Sequence, residues 1–452
     1  MKLEEVAALR VGVWGLGQEG LAIAQLLNSR GAAPVFIDDD PEPAAVRLNS
    51  LLSRDASVSN PEAVEWSALD VVVRSPGVSR YRPELLDAAA SGVRVTTAMA
   101  MWLEDYAGAK VLAITGTKGK STTAALAAAM LGHDGLDVAL IGNIGIPVTE
   151  TYGRPDADAY VVEVSSYQAA EVTVSPRVCV LTSLAPDHLD WHGGEEAYYR
   201  DKLRLIEAGP AGELAVNAGN AEALDRTRKH PHRTLFGPSG RVMVGEDTDF
   251  LEIDGEPVAD LAAFAVPGRH NRWNLCGAVA GAWLLTGAPP DRAAIQATIE
   301  MFDGLPSRCR AVGERDQLTF VDDALASNPF ATLTSLDAFT GRELTLILGG
   351  VDRGVDPEAL IESLASRKPS PRVLVLPPDP DRLIDAIRRA GDRLSVRLSV
   401  EPSAGLADAV HRAMALTPSG GVVMFSPAAP TPPGQGGYGE RSRQFISAIG
   451  MD

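Results

Sequence analysis

A glycine- and lysine-rich segment at residues 115–122 points most directly to chemistry in this sequence. It reads Thr-Gly-Thr-Lys-Gly-Lys-Ser-Thr, after an apolar stretch at 111–114 and before an alanine-rich stretch. A turn between a strand and a helix can hold phosphate oxygens with its backbone N–H groups and the helix N-terminus. Lys120 would neutralise the β- and γ-phosphates, and Ser121 would ligate Mg²⁺. We therefore expect a nucleoside triphosphate site; a chance turn is the alternative, since Ile114 replaces the usual first glycine.

A second glycine motif, Gly15-x-Gly17-x-x-Gly20, follows an apolar stretch at 11–14, and Asp38 ends the next strand-like stretch. This arrangement matches a dinucleotide-binding fingerprint. The same geometry accepts any ligand with a pyrophosphate, because a helix N-terminus does not read the rest of the molecule. A dinucleotide and a sugar nucleotide therefore both remain open, and so does a role of the glycines in close packing alone.

Polar residues follow two further apolar stretches. Glu163 precedes a Ser-Ser-Tyr-Gln segment at 165–168, and Asp187-His188-Leu189-Asp190 follows the strand-like stretch at 178–182. Ligands of parallel sheets bind at the carboxyl ends of strands, and carboxylates beside a triphosphate suit one or two Mg²⁺ ions. A surface turn with a helix-capping aspartate is the alternative for residues 187–188. For Lys202, the pattern indicates only a solvated helix lysine.

The elements that must position these residues read as alternating strands and helices along the whole chain, which predicts an α/β protein with parallel sheets. A Gly- and Pro-containing segment at 302–306 marks a boundary before a last α/β unit. A polar stretch at 236–254 predicts edge hairpins, and the Pro- and Gly-rich stretch at 427–439 predicts a loop.

Composition excludes several classes of protein. The 452 residues contain 41 Lys and Arg against 59 Asp and Glu, a formal charge of −18, which disfavours nucleic-acid and anionic-membrane binding. The three cysteines lie far apart, which argues against a thiolate metal site. The start, MKLEEVAALR, lacks the basic region of a signal peptide, and the most apolar stretch, 275–288, is too short to span a bilayer. We expect a cytoplasmic protein whose anionic ligands are bound through local cations.

Taken in order, the motifs resemble the Mur ligase family, the ATP-dependent amino-acid ligases of peptidoglycan precursor synthesis. The resemblance covers essentially the whole chain. The residues that carry it are 115–122, Gly142-Asn143-Ile144-Gly145, Glu163 with 165–168, 187–190, Lys202, His270-Asn271-x-x-Asn274, Gly304-Leu305-Pro306-x-Arg308, Asp323, Gly349-Gly350 and Asp352-Arg353-Gly354.

The resemblance implies three domains: a UDP-sugar-binding Rossmann-like domain at 1–105, a central P-loop ATPase-like domain at 106–303 and a glutamate-binding Rossmann-like domain at 304–452. It also implies roles for individual residues. The UDP-sugar would be bound by Leu16, Gly17, Gln18, Asp38, Asp39, Ser75, Gly77 and Asn143. ATP would be bound by Gly116, Thr117, Lys118, Gly119, Lys120, Ser121, Thr122, Asn271, Arg308 and Asp323. Mg²⁺ would be held by Ser121, Glu163, His188 and a carbamylated Lys202, and the catalytic residues would be Lys120, His188 and Lys202.

Within the family, the chain resembles the members that add glutamate to UDP-N-acetylmuramoyl-L-alanine through an acyl phosphate. It departs from their usual pattern where the amino acid binds. The usual lysine of one loop is Leu325, and the usual carboxy-terminal motif has become the Pro-rich run that starts at Ser426. An apolar side chain cannot pair with a carboxylate, so glutamate must be held differently. Ser327, Arg353, Ser426 and Thr431 are our candidates.

These departures favour a variant branch that adds L-glutamate and relies on a separate epimerase to invert the product. The ordinary D-glutamate ligase of the same step is the first alternative. A nicotinamide-dependent dehydrogenase is an alternative of another class, but it gives no place to the second phosphate loop. A P-loop kinase, a nucleotide-binding regulator and a folylpolyglutamate ligase are further alternatives. We expect small-molecule substrates only and a monomeric enzyme.

Overall fold

The computed structural model describes residues 1–53, 55–210, 212–245, 249–351, 355–378, 380–396 and 398–451. It contains three sheets, each packed with helices, so the predicted α/β fold is confirmed. The chain divides into two compact units, one of residues 1–261 with 272–298 and one of residues 262–271 with 299–452. The domain limits at 105 and 303 stay predictions. No described helix combines the length and the apolar character needed to cross a membrane.

The first sheet has five parallel strands in the order β3-β2-β1-β4-β5. Two of its central strands, β1 and β4, are buried along their whole length and are apolar except for Arg74, as expected where helices cover both faces. The strands are β1 (Val11–Trp14), β2 (Val35–Ile37), β3 (Val58–Ser59), β4 (Val71–Arg74) and β5 (Arg94–Thr96), and the helices are α1 (Leu3–Ala7), α2 (Gln18–Ser29), α3 (Pro41–Leu52), α4 (Pro83–Ala90) and α5 (Ala98–Asp105).

The second sheet has nine strands in the order β14-β13-β12-β11-β10-β9-β6-β8-β7. The pairs from β12 to β7 are parallel, and β12, β13 and β14 form antiparallel pairs at one edge, which confirms the edge hairpin predicted for 236–254. The strands are β6 (Val111–Thr115), β7 (Val138–Gly142), β8 (Ala159–Glu163), β9 (Val178–Leu181), β10 (Glu213–Asn217), β11 (Arg233–Phe236), β12 (Val242–Val244), β13 (Phe250–Ile253) and β14 (Glu256–Asp260). The helices are α6 (Lys120–His133), α7 (Ser166–Ala169), α8 (Leu189–His192), α9 (Glu195–Glu207), α10 (Ala221–Arg226), α11 (Arg269–Thr286) and α12 (Arg292–Met301).

The first two sheets share one apolar core inside the first unit. Trp102 of α5 is fully buried, stacks on Tyr106 at 4.6 Å and donates from Nε1 to Thr151 Oγ1 at 2.8 Å. A buried ion pair adds a polar link, since Arg74 at the end of β4 donates from Nε to Glu171 Oε1 at 3.2 Å. Side chains that follow the strands of either sheet therefore lie in one compact unit.

The third sheet lies in the second unit and has six strands in the order β15-β16-β20-β17-β18-β19. Only the β15–β16 pair is antiparallel. The strands are β15 (Arg310–Arg315), β16 (Leu318–Asp322), β17 (Leu344–Leu348), β18 (Arg372–Val375), β19 (Ser399–Pro402) and β20 (Val422–Phe425), and the helices are α13 (Pro329–Leu336), α14 (Glu358–Ser366), α15 (Pro380–Leu394), α16 (Leu406–Leu416) and α17 (Gly437–Ile449).

Candidate active site

The phosphate-loop motif forms the turn between β6 and α6. Gly116 has φ 144° and Gly119 has φ 87°, a backbone region that side chains with a Cβ rarely adopt. A Cβ on Gly116 would also lie 2.0 Å from Thr182 Oγ1. Both glycines are therefore required by the backbone, and α6 begins at Lys120 directly after them. This is the strand–turn–helix geometry that phosphate binding needs.

The polar side chains of this loop are held by defined contacts. Lys120 Nζ donates to Gly116 O at 3.0 Å and to Thr117 O at 3.1 Å, so its ammonium lies over the loop. Lys118 Nζ lies 3.6 Å from Asp187 Oδ2. Thr122 is buried in the first turn of α6. Two cations are thus gathered at one turn, where they could neutralise a polyphosphate.

A cavity of about 380 Å³ lies beyond the carboxyl ends of β1, β2 and β4. Its wall includes Gly142, the last residue of β7, and Gly145 and Pro147 from the segment that follows β7. No lysine or arginine is among the described residues that line it. The structure brings all eight predicted UDP-sugar residues to this cavity: Leu16, Gly17, Gln18, Asp38, Asp39, Ser75, Gly77 and Asn143.

The glycine-rich turn of this cavity is tightly built. Leu16 N donates to Asp38 Oδ2 at 2.6 Å, and Ser75 Oγ donates to Gly15 O. Gly15 has φ 89°, and a Cβ on Gly20 would lie 1.8 Å from Gly15 O. Gly20 is therefore needed for close packing. The hydrogen bond from Leu16 N occupies one oxygen of Asp38, the carboxylate that would bind a ribose in a dinucleotide-binding enzyme.

Glu163 links this cavity to the phosphate loop. Its carboxylate, at the end of β8 and 1% exposed, accepts from Ser121 Oγ at 2.5 Å through Oε2. Its Oε1 accepts from Asn143 Nδ2 at 2.8 Å. One buried carboxylate thus contacts both a cavity residue and the first turn of α6.

Lys202 and His188 approach the same loop from α9 and from the start of α8. Lys202 is 2% exposed, and its Nζ donates to Gly116 O at 2.8 Å. Burial, reinforced by the charge of Lys120, lowers the pKa of Lys202 well below its ordinary value, which favours the neutral amine. His188 adopts a left-handed conformation at φ 53°, and its ring lies 4.9 Å from that of Tyr167.

Sequence reasoning missed Glu19, which also lines the cavity. Its Oε1 accepts a hydrogen bond from Gln168 Nε2, and Gln168 Oε1 accepts from Ser165 N at 3.0 Å. Burial raises the pKa of Glu19 to about 7, although its bond to Gln168 and the charge of Arg74 oppose this rise. An acid in the first turn of a helix is ordinary, so its type and position carried no signal.

Sequence reasoning also missed a buried histidine on α8. His192 is 1% exposed, its Nδ1 lies 2.7 Å from Asp201 Oδ2, and its Nε2 lies 3.0 Å from Ser166 Oγ. Tyr81, in the segment between β4 and α4, donates from its hydroxyl to the same Asp201 carboxylate at 3.0 Å. The four-residue spacing from His188 to His192 was the only available signal, and it does not reveal these partners.

The remaining ATP-binding predictions fall in the second unit. Asp323 is 5% exposed; its Oδ1 accepts from Cys309 N at 2.9 Å and its Oδ2 accepts from Ser426 Oγ at 2.6 Å. Burial raises its pKa to about 7. Asn271 donates from Nδ2 to Pro267 O at 2.7 Å, and Arg308 is half-buried. Their roles toward ATP stay predictions.

The predicted glutamate-binding residues differ in their surroundings. Ser426 is fully buried, and besides its bond to Asp323 its Oγ lies 2.8 Å from Thr332 Oγ1. Ser327 is exposed and Thr431 is half-buried. Arg353 lies outside the described residues. The structure thus ties one predicted ligand, Ser426, into the interior of the second unit.

Comparison with known proteins identifies the family. Residues 114–282 match the Mur ligase middle domain, and residues 10–97 match the N-terminal domain of MurD-like Mur ligases. The UDP-N-acetylmuramoyl-L-alanine–L-glutamate ligase of a Micromonospora species is 38% identical, over 99% of this chain and 98% of the relative. The chain belongs to the Mur ligase family. The ligase of the same name from Salinispora tropica is 36% identical, over 99% of each chain.

Solved Mur ligase structures share the fold. The UDP-N-acetylmuramate-alanine ligase MurC from Thermotoga maritima has a TM-score of 0.60 at 18% identity, over 98% of this chain and 99% of its own. The Thermotoga maritima MurF ligase in complex with ADP has a TM-score of 0.61 at 14% identity, over 99% and 98%. The predicted Mur ligase family, its ligase class and its use of ATP are confirmed, and the dehydrogenase alternative is not favoured.

The predicted metal ligands of this Mur ligase fit a hard cation through two oxygen donors, the contacting groups of Ser121 and Glu163. No group of three or more His, Cys, Asp and Glu side chains in the described parts of the chain lies close enough to hold a metal. The described side chains therefore supply only part of a coordination shell, as is usual for Mg²⁺, which keeps several water ligands and binds substrate phosphates.

Proposed function

We propose that this Mur ligase joins L-glutamate to UDP-N-acetylmuramoyl-L-alanine and converts ATP to ADP and phosphate. The single observation that carries the proposal is the contact of Glu163 with Asn143 on one side and Ser121 on the other. This contact supports a reaction in which one end of a ligand in the cavity reacts with a phosphoryl group bound at the phosphate loop. The names of the two relatives supply the substrates.

The cavity would hold the UDP-sugar. The backbone N–H groups at the start of α2, around Gly17 and Gln18, supply the donors for a diphosphate, since no cation lines the described wall. Asp38 would keep the turn in shape through its bond to Leu16 N. Asn143 stands on the side of the cavity that faces Glu163, where the lactyl-alanine end of the substrate would extend.

The loop would bind ATP, and its residues would act on the charge that moves during the reaction. The alanyl carboxylate attacks the γ-phosphorus, the bond to the bridging oxygen breaks, and ADP leaves. The glutamate amine then attacks the carbonyl carbon of the acyl phosphate, loses a proton and expels phosphate. Lys120 and the N–H groups of residues 116–121 would stabilise the negative charge during phosphoryl transfer.

Ser121, Glu163, His188 and a modified Lys202 would hold Mg²⁺, one or two ions, which would neutralise the phosphate oxygens. The neutral amine of Lys202 is the form that adds to CO₂; the adduct loses a proton and becomes an anionic carbamate. Carbamylation would turn a buried amine beside Gly116 into an oxygen ligand.

Glutamate would bind to the second unit, with Ser327, Thr431 and Arg353 as candidate ligands. ATP would also contact Asn271, Arg308 and Asp323 there. Because ATP is made and kept inside the cell, the reaction would run in the cytoplasm. We expect a monomer, which light scattering would measure, and a separate epimerase to invert the L-glutamyl product.

An enantiomer assay tests the proposed reaction. ADP release and product mass are measured with UDP-N-acetylmuramoyl-L-alanine, ATP, Mg²⁺ and either L- or D-glutamate. We expect product from L-glutamate and at most a trace from D-glutamate. Equal turnover of both, or turnover of D-glutamate alone, contradicts the L-glutamate assignment and favours the ordinary ligase. Hydroxylamine should trap a hydroxamate, because only an acyl-phosphate former yields one.

A further inference from the structure

Two arginines among the described residues are almost fully buried, and only one of them has a counter-ion. Arg74, 1% exposed, pairs with Glu171 at 3.2 Å. Arg441 of α17, 3% exposed, forms no ion pair with any carboxylate in the described part of the chain. A buried charge without a partner is costly, because water no longer solvates it. A ligand carboxylate that binds there would remove that cost.

The partners that Arg441 does have leave part of its guanidinium unused. Nη2 donates to Gly349 O at 2.7 Å, and the guanidinium carbon lies 4.9 Å from the centre of the Phe425 ring. Nη1 is buried and has no hydrogen-bond partner among the described residues. Burial alone lowers the pKa of Arg441 to about 10, so the group remains a cation near neutral pH.

Two buried carboxylates of the same unit, Asp322 and Asp323, have hydrogen-bond donors other than Arg441. Ser442, the next residue, donates from Oγ to Asp322 Oδ2 at 2.6 Å. Asp323 accepts from Cys309 N and from Ser426 Oγ. Neither of these two buried acids forms an ion pair with Arg441.

The position of Arg441 connects it with the segments that carry the departures from the family pattern. Gly349 N donates to Pro427 O at 2.9 Å, and Val351 N donates to Pro430 O at 2.9 Å. Arg441 thus lies under the junction of the 349–351 turn and the Pro-rich run that follows Ser426. The lysine that usually pairs with glutamate is replaced by Leu325, so this unit needs a different cation for an acidic substrate.

We propose that Arg441 is the cation that binds the side-chain carboxylate of the incoming glutamate and makes the enzyme select an acidic amino acid. The inference rests on the proposed function. Guanidinium suits this task because it forms paired hydrogen bonds with a carboxylate. Because Nη1 is buried, the residues that cover it must shift when glutamate enters.

The test compares three variants for L-glutamate and L-glutamine as substrates. Arg441→Met removes the charge, and Arg441→Lys keeps the charge but cannot form the paired hydrogen bonds of a guanidinium. Arg443→Met is the control, because Arg443 is on the same helix, is 73% exposed and pairs with Glu440. We expect Arg441→Met to raise the KM for glutamate by roughly 10- to 100-fold and to reduce the preference for glutamate over glutamine by the same factor. The KM for ATP should stay within about twofold, and Arg441→Lys should be intermediate.

Thermal unfolding of each variant shows whether it is folded. A folded Arg441→Met that keeps the wild-type KM for glutamate and the wild-type preference over glutamine overturns the proposal. If Arg441→Met does not fold, unchanged preference in Arg441→Lys overturns it instead. Failure of the proposed function is seen separately, because the wild type and Arg443→Met would then form no product with L-glutamate, or as much product with D-glutamate as with L-glutamate.

Discussion

Gly116 is the residue at which the phosphate loop is most sensitive to added volume. In Gly116→Ala the Cβ would meet Thr182 Oγ1 at 2.0 Å, and the backbone would be strained at φ 144°. We expect a loss of about 1–3 kcal/mol of stability and at least a tenfold rise in the KM for ATP. Denaturant unfolding and ATP-dependent ADP release would measure these effects.

Gly132 provides the matched control, because it lies in α6, is exposed, and would place its Cβ in open space. Gly132→Ala should raise the stability by about 0.5–1 kcal/mol and leave the KM for ATP unchanged. A wild-type KM for ATP in Gly116→Ala would mean that nucleotide does not use this turn.

Glu19 predicts a pH dependence of sugar-nucleotide binding. Its pKa of about 7 means that it ionises in the range where UDP-N-acetylmuramoyl-L-alanine keeps a constant diphosphate charge. The ionised form adds negative charge to a cavity whose described lining has no Lys or Arg, so the dissociation constant should rise as pH increases through 7. Calorimetry should find a weaker pH dependence for Glu19→Gln.

The same group predicts a change in stability. The unfolded carboxyl ionises near 4.5 and the folded one near 7, so the unfolded state binds fewer protons between these values and the native state loses stability as pH rises. Glu19→Gln should therefore gain most in Tm over the wild type above pH 7 and gain nothing below pH 4.5. If the difference in Tm between Glu19→Gln and the wild type did not change with pH, Glu19 would have the same pKa in the folded and unfolded states.

Residue types could be predicted from the sequence better than residue partners. All eight predicted sugar-nucleotide residues line the cavity; among them, Gly17 and Asp38 followed from motif spacing, and the resemblance to the family implied the others. Spacing could not reveal that Glu163 contacts both Asn143 and Ser121, nor that Ser426 is buried against Asp323. Such contacts join segments far apart in the chain, and no periodicity records them.

At the scale of elements, the buried strands were predictable, whereas the two edge strands of the third sheet were not. Strands such as β17 and β20 are unbroken apolar runs, which a parallel sheet covered on both faces requires. β15 and β19 lie at the two edges of the third sheet, and only half of the residues in each are apolar, so the pattern gave no strand there. Edge strands depend on pairing more than on their own burial.

The link between β4 and the segment after α7 is the element contact most open to test. Arg74 donates to Glu171, to Tyr167 O at 2.9 Å and to Val78 O at 3.1 Å. Arg74→Met leaves Glu171, 7% exposed, with only Arg80 as a cationic partner at 3.4 Å. We expect a loss of about 3–5 kcal/mol in the free energy of unfolding, measured with urea.

Arg154 serves as the control for that substitution, because its pair with Glu150 is exposed on both sides, at 66% and 47%. Arg154→Met should change the free energy of unfolding by about 0.5 kcal/mol or less. Equal losses in the two variants would show that the buried pair contributes no more than a surface pair.

At the scale of the whole molecule, the α/β class could be predicted but the grouping of the sheets could not. Apolar patterns show that a residue is buried, and they do not show which sheet it packs against. Trp102 and Tyr106 join the first sheet's helices to the second sheet's core in one unit. The domain boundaries at residues 105 and 303 therefore stay predictions.

The charge of the whole molecule should make sugar-nucleotide binding depend on salt. The net charge of −18 repels an anionic ligand, and Asp38, Asp39 and Glu19 add negative charge at the cavity itself. Salt screens both contributions, because the Debye length falls from about 30 Å at 0.01 M to about 8 Å at 0.15 M. The dissociation constant of UDP-N-acetylmuramoyl-L-alanine should therefore decrease by roughly two- to threefold over this range.

Uridine is the control ligand, because it carries no phosphate and its affinity should not change with salt. Both affinities are measured by calorimetry at constant pH without Mg²⁺, so that only the protein and the ligand supply charge. If the affinity for the sugar nucleotide instead falls as salt is added, an attractive field outweighs the −18 at the binding site. Cations outside the described lining of the cavity would then have to reach the diphosphate, which the N-terminus of α2 would otherwise bind without a positively charged side chain.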